Sequence, residues 1–396
     1  MNNKICIIQD NKSCLRRSLD TVNIRRILSE ENIIEEKDII FANYIIIVSC
    51  GFNNVARSNG IELINKAVKI VGEKNVLVIG CIPGICPEIF SQTDISFIHP
   101  SEYEKLPAIL KKLGIKLANK LPISEELSVG CTGLHQNDIS LSKNTYYLNV
   151  SKGCLGKCTY CEIRKSIGTL KSRQLDVLIN ETKKAIINGA KTIYLGADDL
   201  GAWGIDINSN FPVLLNSLLE LEEEMEIELN QKSLKLDLRN VIHPRWLVKY
   251  KYELKEIFKK YSYKLPCISL AMQSGSSEVL KKYKRYNCID DVNYVLCELY
   301  KVNPNLYGFG HMIVGAPFEN EQDIMKTIMF ICNSPIQFWT CFQYSTKEND
   351  NIVPMIKSKW DLFLNELRKY KFKILESNGR VYVAKSINTD YVVIKF

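Results

Sequence analysis

Three cysteines fall within eight residues, Cys154-Leu-Gly-Lys-Cys158-Thr-Tyr-Cys161, directly after the apolar, alternating stretch TYYLNVS. Thiolates packed this closely can each take one iron of a 4Fe-4S cube and leave the fourth iron open to a small ligand. A structural zinc ion would want four ligands, usually as two close pairs, and neither a second pair nor a histidine stands nearby. Three more cysteines stand apart. Cys50 directly ends the run YIIIVS, Cys81 directly ends NVLVIG, and Cys14 lies in the loop after KICII. If those runs are neighbouring parallel strands, all three cysteines collect at the C-terminal edge of one sheet, where doubly wound folds bind their ligands. A second three-cysteine cluster is then the chemistry to expect, the alternative being three unrelated cysteines at strand ends. Others, such as Cys267, Cys297, Cys332 and Cys341, lie inside apolar stretches and read as small core residues. Cys86 and Cys131 are given no role.

The surrounding elements follow from periodicity. Candidate strands Lys4 to Ile8, Tyr44 to Ser49, Asn75 to Gly80 and Ile95 to Ile98 are separated by helical patterns near Arg16 to Ser29, Asn54 to Val71 and Glu102 to Leu113. Strands spaced this way imply βαβ units and a doubly wound parallel sheet over residues 1–116. The pattern then dissolves, and residues 117–144 read as a linker. Between 145 and 345 six strand candidates, TYYLNVS, TIYLGA, LKLDLRN, CISLAM, YGFGHMIVG and FWTCFQY, alternate with helical segments. Six repeats are too few for an eight-stranded barrel and suit a partial (β/α)6 barrel, with its active groups at the C-terminal strand ends. Residues 346–396 hold a helix from Lys359, a hairpin around Asn378-Gly379 and a last strand, DYVVIKF. They are expected to form a small α+β appendage.

The chain has 396 residues, 46% hydrophobic and 24% charged, with a net charge of +8, which permits an anionic partner without requiring one. There is no basic leader followed by an apolar core, and no apolar run reaches the length of a membrane span. Ile39 to Cys50 is short and broken by Asn43. A cytoplasmic protein with no membrane partner is expected. Fourteen cysteines in a reducing compartment argue for ligation rather than disulfides.

At these residues the chain resembles a known family, the methylthiotransferases of the radical S-adenosylmethionine (SAM) superfamily. KSCLRRSLDT, VSCGFNNVARS and IGCIPG look like the family's three auxiliary-cysteine segments, and VSKGCLGKCTYCEIRKSIGTLKSR from Val150 to Arg173 resembles its radical-cluster segment. YLGADDLGAWGIDINSNFPVLL is most like the branch that modifies threonylcarbamoyladenosine of tRNA, and AMQSGSSEVLKKYKR and HMIVGAPFENEQDI look like later strand motifs. The chain departs from the family in four places. Leu15-Arg16-Arg17 replaces a Gln-Met-Asn-like run, His311 stands for an aspartate, and Phe318 stands for a glycine. The tail does not look like the small RNA-binding barrel, the TRAM domain, with which tRNA-modifying members usually finish.

The resemblance implies two 4Fe-4S clusters, one on Cys154, Cys158 and Cys161 and an auxiliary one on Cys14, Cys50 and Cys81. It implies SAM as both radical source and methyl donor, sulfide or persulfide at the auxiliary cluster, and a small reductant such as flavodoxin or ferredoxin. The product is a C–SCH3 group in place of an unactivated C–H, a bond too inert for acid–base chemistry. Tyr160 is a candidate to contact the adenine of SAM, Asp199, Arg239 and Gln273 to bind its ribose or carboxylate, and His311 to face the substrate. Without the RNA-binding barrel the expectation leans to a peptide or protein side chain, such as a ribosomally made precursor peptide. Such a chain could pair with an edge strand of the tail. The alternative substrate is adenosine-37 of tRNA. Two further readings are a two-cluster radical enzyme without methyl transfer and an iron–sulfur scaffold or redox sensor without catalysis. A basic, aromatic tail would favour RNA, and an apolar edge strand would favour a peptide.

Overall fold

A computed structural model describes residues 4–10, 14–31, 33–113, 144–229, 234–345, 352–377 and 379–386. Cys131, nearly all of the expected linker and the expected last strand lie outside the described residues. The chain divides into two compact units, Met1–Cys154 with Cys161–Arg173 and Ile187–Ala190, and Leu155–Tyr160 with Gln174–Ile186 and Lys191–Phe396.

In the first unit β1 (Ile5–Gln9), β2 (Tyr44–Ser49), β3 (Val76–Gly80) and β4 (Ser96–Ile98) lie side by side in that order, all parallel. The two central strands are β-branched runs buried on both faces, as a sheet covered on both sides requires. On one face pack α1 (Leu15–Glu30) and α4 (Leu106–Lys112), and on the other α2 (Asn54–Val71) and α3 (Ile82–Ile85). The Asn53 side chain caps α2 by accepting from the Ala56 amide at 2.9 Å.

The order 1-2-3-4 looks singly wound, yet helices cover both faces. The explanation is a single parallel bridge between Ile5 and Glu35, with the Ile5 amide bonded to the Ile34 carbonyl at 3.3 Å and the Glu36 amide to the Ile5 carbonyl at 2.8 Å. After α1 the chain therefore pairs briefly outside β1 before returning to form β2. The reversal of strand order falls between β1 and β2, and the sheet is doubly wound as expected.

The same unit holds β5 (Thr145–Asn149), a two-residue antiparallel ribbon of β6 (Ser151–Lys152) with β7 (Lys171–Ser172), and α5 (Arg164–Ile167).

All six strands expected of the partial barrel exist, β5 together with β8 (Thr192–Gly196), β9 (Lys235–Ile242), β10 (Cys267–Gln273), β11 (Tyr307–Val314) and β12 (Phe338–Gln343). In the second unit β8 to β12 are neighbours and parallel. Their outward side chains, among them Leu236, Leu238, Ile268, Leu270, Met312, Trp339 and Cys341, are at most 1% exposed. The helices of this unit are α6 (Leu175–Ile187), α7 (Phe211–Glu228), α8 (Pro244–Lys249), α9 (Lys251–Lys260), α10 (Ser277–Lys282), α11 (Ile289–Val302) and α12 (Glu321–Asn333). Asn320 and Asp323 form a reciprocal capping box at the start of α12.

The tail forms α13 (Val353–Leu367), β13 (Lys373–Ser377) and β14 (Arg380–Ala384). The helix begins six residues before Lys359, because Pro354 suits a first helical turn and Ile356 adds a buried contact. The hairpin forms where Asn378-Gly379 predicts it, with Gly379 at φ 65°. Rather than standing apart, β14 pairs antiparallel with β12, so the tail extends the sheet of the second unit.

A buried charge cluster tests this packing. Glu222 on α7 is fully buried among Leu residues, and burial pushes its carboxyl up to about 8 despite Lys264, while Glu226 adds to the rise. Lys264, also fully buried, pairs with Glu226 at 2.8 Å. A carboxyl raised above its unfolded value favours the fold below about pH 4.5, and that contribution is lost as pH rises through 8. Glu222→Gln is therefore expected to stabilise the protein by about 1–4 kcal/mol at pH 8.5 and by much less at pH 5. Urea unfolding at the two pH values measures this, and an equal effect at both would refute it.

Candidate active site

In the first unit Cys14, Cys50 and Cys81 come to the C-terminal ends of β1, β2 and β3, the edge where the strand order reverses. The backbone fixes each one. Asp10, just past β1, accepts the Cys50 amide on both carboxylate oxygens at 2.9 and 2.8 Å. The Cys81 amide donates to the Ser49 carbonyl at 3.0 Å, and the Ser49 hydroxyl bonds to the Ile79 carbonyl at 3.1 Å. Gly80 permits this crossing, since at φ 124° a side chain there would meet the Ser49 carbonyl. The Ser166 hydroxyl of α5 donates to the Cys81 carbonyl at 2.6 Å.

The sulfurs interact. Cys14 and Cys50 share a hydrogen bond that lowers the Cys14 thiol below its ordinary value against the opposing effect of burial, with the Arg17 charge and amide adding to the fall. Cys50 is pushed up by the same bond. Among the described residues no three cysteine, histidine or carboxylate side chains stand at the separation that one metal ion would need. A cubane asks for something wider, because each thiolate binds a different iron.

Beside them lies a buried ion pair absent from the expectations. Arg17 and Asp20 on α1 meet at 2.9 Å with side chains 5% and 8% exposed. Burial raises the Asp20 carboxyl against the pull of Arg17 and Lys152, and Tyr103 is close enough to bond with it.

The second cysteine group follows β6. Gly153 is obligatory there, because at its φ of 75° any Cβ would collide with the Thr169 carbonyl. The Cys154 amide donates to the Gly168 carbonyl at 3.2 Å, and the Arg173 guanidinium donates to the Asn149 carbonyl at 2.8 Å, closing the base of the loop. Ser172 and Arg173, the last residues of the motif, thus tie the loop back to its own strand.

In the second unit Arg285, just after α10, donates to Cys158 Sγ at 3.3 Å and to the Tyr160 hydroxyl at 2.8 Å, and its other nitrogen bonds to the Ala271 carbonyl. Tyr160 packs edge-to-face on Tyr283, with ring centroids 4.8 Å apart. Arg285 lies in the quoted KKYKR motif, 127 residues from Cys158. The excess of lysines around it hid the one basic residue that turns inward. Supporting groups of this kind change metal affinity or activity by about 10–100-fold when removed. Arg285→Gln is expected to slow SAM cleavage by that factor, measured as 5′-deoxyadenosine formed per cluster. An unchanged rate would sink the assignment.

The polar candidates at strand ends differ in how they are engaged. Asp199 is 4% exposed and accepts from Trp246 Nε1 at 2.7 Å and the His243 amide at 3.2 Å. Arg239 pairs with Asp237 at 2.7 Å and lies over the Tyr194 ring. Gln273 sits at a bulge with φ 75°, and its buried side-chain oxygen has no hydrogen-bond partner. His311 faces the barrel interior 6.1 Å from the Phe342 ring, held down to about 4 by burial and by Arg380, and so neutral at ordinary pH.

The family model described as the radical SAM superfamily matches residues 148–331. The chain carries a radical SAM domain. A protein of Methanocaldococcus jannaschii named "probable threonylcarbamoyladenosine tRNA methylthiotransferase" is 25% identical over 94% of this chain and 84% of its own length. A "ribosomal protein uS12 methylthiotransferase" of Protochlamydia amoebophila is 23% identical over 87% and 72%. Among solved structures, the radical SAM methyltransferase TsrM of Kitasatospora setae superposes with a TM-score of 0.58 at 11% identity, covering 86% of this chain and 72% of that one, a likeness of fold. The chain therefore carries the domain of radical SAM enzymes, with 4Fe-4S clusters and SAM as cofactors, and it is similar in sequence to proteins named as methylthiotransferases. No helix among the described residues is long and apolar enough to cross a membrane.

Proposed function

We propose that this enzyme transfers a methylthio group to an adenosine of tRNA that already carries a threonylcarbamoyl group. Cys154, Cys158 and Cys161 would hold the cluster that works with SAM, and Cys14, Cys50 and Cys81 the auxiliary one. When bound, these groups supply a one-electron reduction of SAM and a sulfur to be methylated. The chain's residues supply the rest. Asp10 and Ser49 orient the loops of Cys50 and Cys81, Arg285 places positive charge against Cys158, and the half-buried barrel interior shields the substrate from water.

The observation that carries the substrate assignment is the tail. Its inner strand β14 turns Arg380 and Tyr382 toward His311 and Phe342. Its outer strand β13, Lys-Ile-Leu-Glu-Ser, is mostly exposed and carries a charge near each end. A basic, aromatic inner face suits a nucleobase, whereas a charged outer edge resists pairing with another chain. The relatives named for tRNA support the same choice. The uS12-directed relative favours a protein side chain as a second reading.

The test is expression in a bacterial host without its own tRNA methylthiotransferases, beside a Cys154→Ala/Cys158→Ala/Cys161→Ala control, with mass spectrometry of total tRNA nucleosides. A methylthio derivative of threonylcarbamoyladenosine, absent from the control, is expected. If none forms although the purified protein cleaves SAM, the tRNA reading fails and uS12-type proteins become the substrates to assay.

A further inference from the structure

The strand register defines one continuous inner face in the second unit. Phe309, His311 and Ile313 of β11 stand beside Phe338, Thr340 and Phe342 of β12, and these stand beside Ala384, Tyr382 and Arg380 of β14. Val381 and Val383, on the opposite face of β14, are fully buried, which fixes the direction of Arg380 and Tyr382. Arg380 lies near the C-terminal end of β12, the end at which such barrels hold their chemistry.

Two other arginines already described in this unit are engaged. Arg239 is neutralised by Asp237 at 2.7 Å, and Arg285 is held by Cys158, Tyr160 and Ala271. Arg380 has no carboxylate partner among the described residues. Its guanidinium donates to the Tyr382 hydroxyl at 3.0 Å and lies over the Phe342 ring, 5.0 Å from the centroid. Aromatic stacking of this kind holds a guanidinium flat and leaves its remaining N–H donors directed along the plane, the geometry that receives a carboxylate on two hydrogen bonds. Facing it are the neutral His311 imidazole and the Thr340 hydroxyl position, with no acidic side chain on the inner faces of β11, β12 or β14.

We propose that Arg380, aligned by Tyr382 and Phe342, is the specificity residue that binds the carboxylate of an anionic group attached to an aromatic base, with Phe342 and His311 contacting the base. This rests on the tRNA reading above and deepens it, because a threonylcarbamoyl substituent ends in such a carboxylate. The tail then contributes residues to the substrate site.

Binding of labelled anticodon stem-loop RNA to the cluster-loaded protein tests it, by anisotropy and without turnover. Three RNAs are compared, bearing N6-threonylcarbamoyladenosine, its methyl ester, or plain adenosine. The wild type is expected to bind the free carboxylate about tenfold more tightly than the ester, as a bidentate charged hydrogen bond predicts. Arg380→Met should erase that preference and Arg380→Lys should keep part of it, with thermal melting showing that both variants fold. If Arg380→Met folds and retains the full preference, the proposal is overturned while the tRNA reading stands. If the wild type binds none of the three RNAs better than a scrambled stem-loop, the tRNA reading falls and takes this proposal with it.

Discussion

Cys50→Ala is expected to remove the methylthio product completely while leaving reductive SAM cleavage in place. Cys50 sits between the other two cysteines proposed as auxiliary ligands in strand order, shares a hydrogen bond with Cys14, and has its amide fixed by Asp10. None of these contacts involves the loop of Cys154, Cys158 and Cys161. A variant that loses one of three thiolates of a cluster should lose that cluster, so iron content should fall by about half. The fitting control is Cys86→Ala. Cys86 is equally buried in the same unit, at the end of α3, and is outside the proposed ligand set. It should keep its iron and its product. Iron and acid-labile sulfide assays, 5′-deoxyadenosine formation with dithionite, and nucleoside mass spectrometry together decide the matter. Full iron and product in Cys50→Ala would remove Cys50 from the ligand set.

Arg17→Leu should destabilise the first unit strongly. The helix that bears it is unusual, since Arg17, Ser18, Asp20, Thr21 and Asn23 are all buried along with its apolar residues. Removing one partner of a buried ion pair leaves an uncompensated charge and costs about 3–5 kcal/mol. Here the orphan would be Asp20, whose carboxyl burial already raises. The double variant Arg17→Met/Asp20→Leu removes both charges at similar volume and should recover most of the loss. Anaerobic urea unfolding of the two variants beside the wild type separates the cases. If the single variant matches the wild type, the pair contributes nothing to the fold.

The sequence exposes these sites unevenly, for physical reasons. The strands of the first unit and the cysteines that end them are local signals, because a fully buried parallel strand is a short β-branched run and its first residue beyond the sheet is easily marked. Asn54–Val71 and Tyr44–Ser49 match their expected bounds residue for residue. Pairing across long separations leaves no local period. The bridge of Glu35 to Ile5, the seating of β14 against β12, and the approach of Arg285 to Cys158 belong to this class. The Arg17–Asp20 pair was hidden differently. Arginines beside a cysteine at a helix start read as surface charge, and only burial on every side of α1 shows otherwise. Position alone marks the polar candidates at strand ends, and position does not reveal that Trp246 and His243 engage Asp199 or that Asp237 engages Arg239.

The seating of β14 against β12 also orders events during synthesis. Residues 380–384 are made more than thirty residues after β12, and until they emerge from the ribosome β12 presents an open edge with unmet backbone groups. The nascent second unit is therefore most exposed to mispairing at that edge just before β14 arrives. The same strand delivers Arg380, so a chain released early would lack both the protected edge and the cation of the inner face. An incomplete copy would be recognisable by its instability.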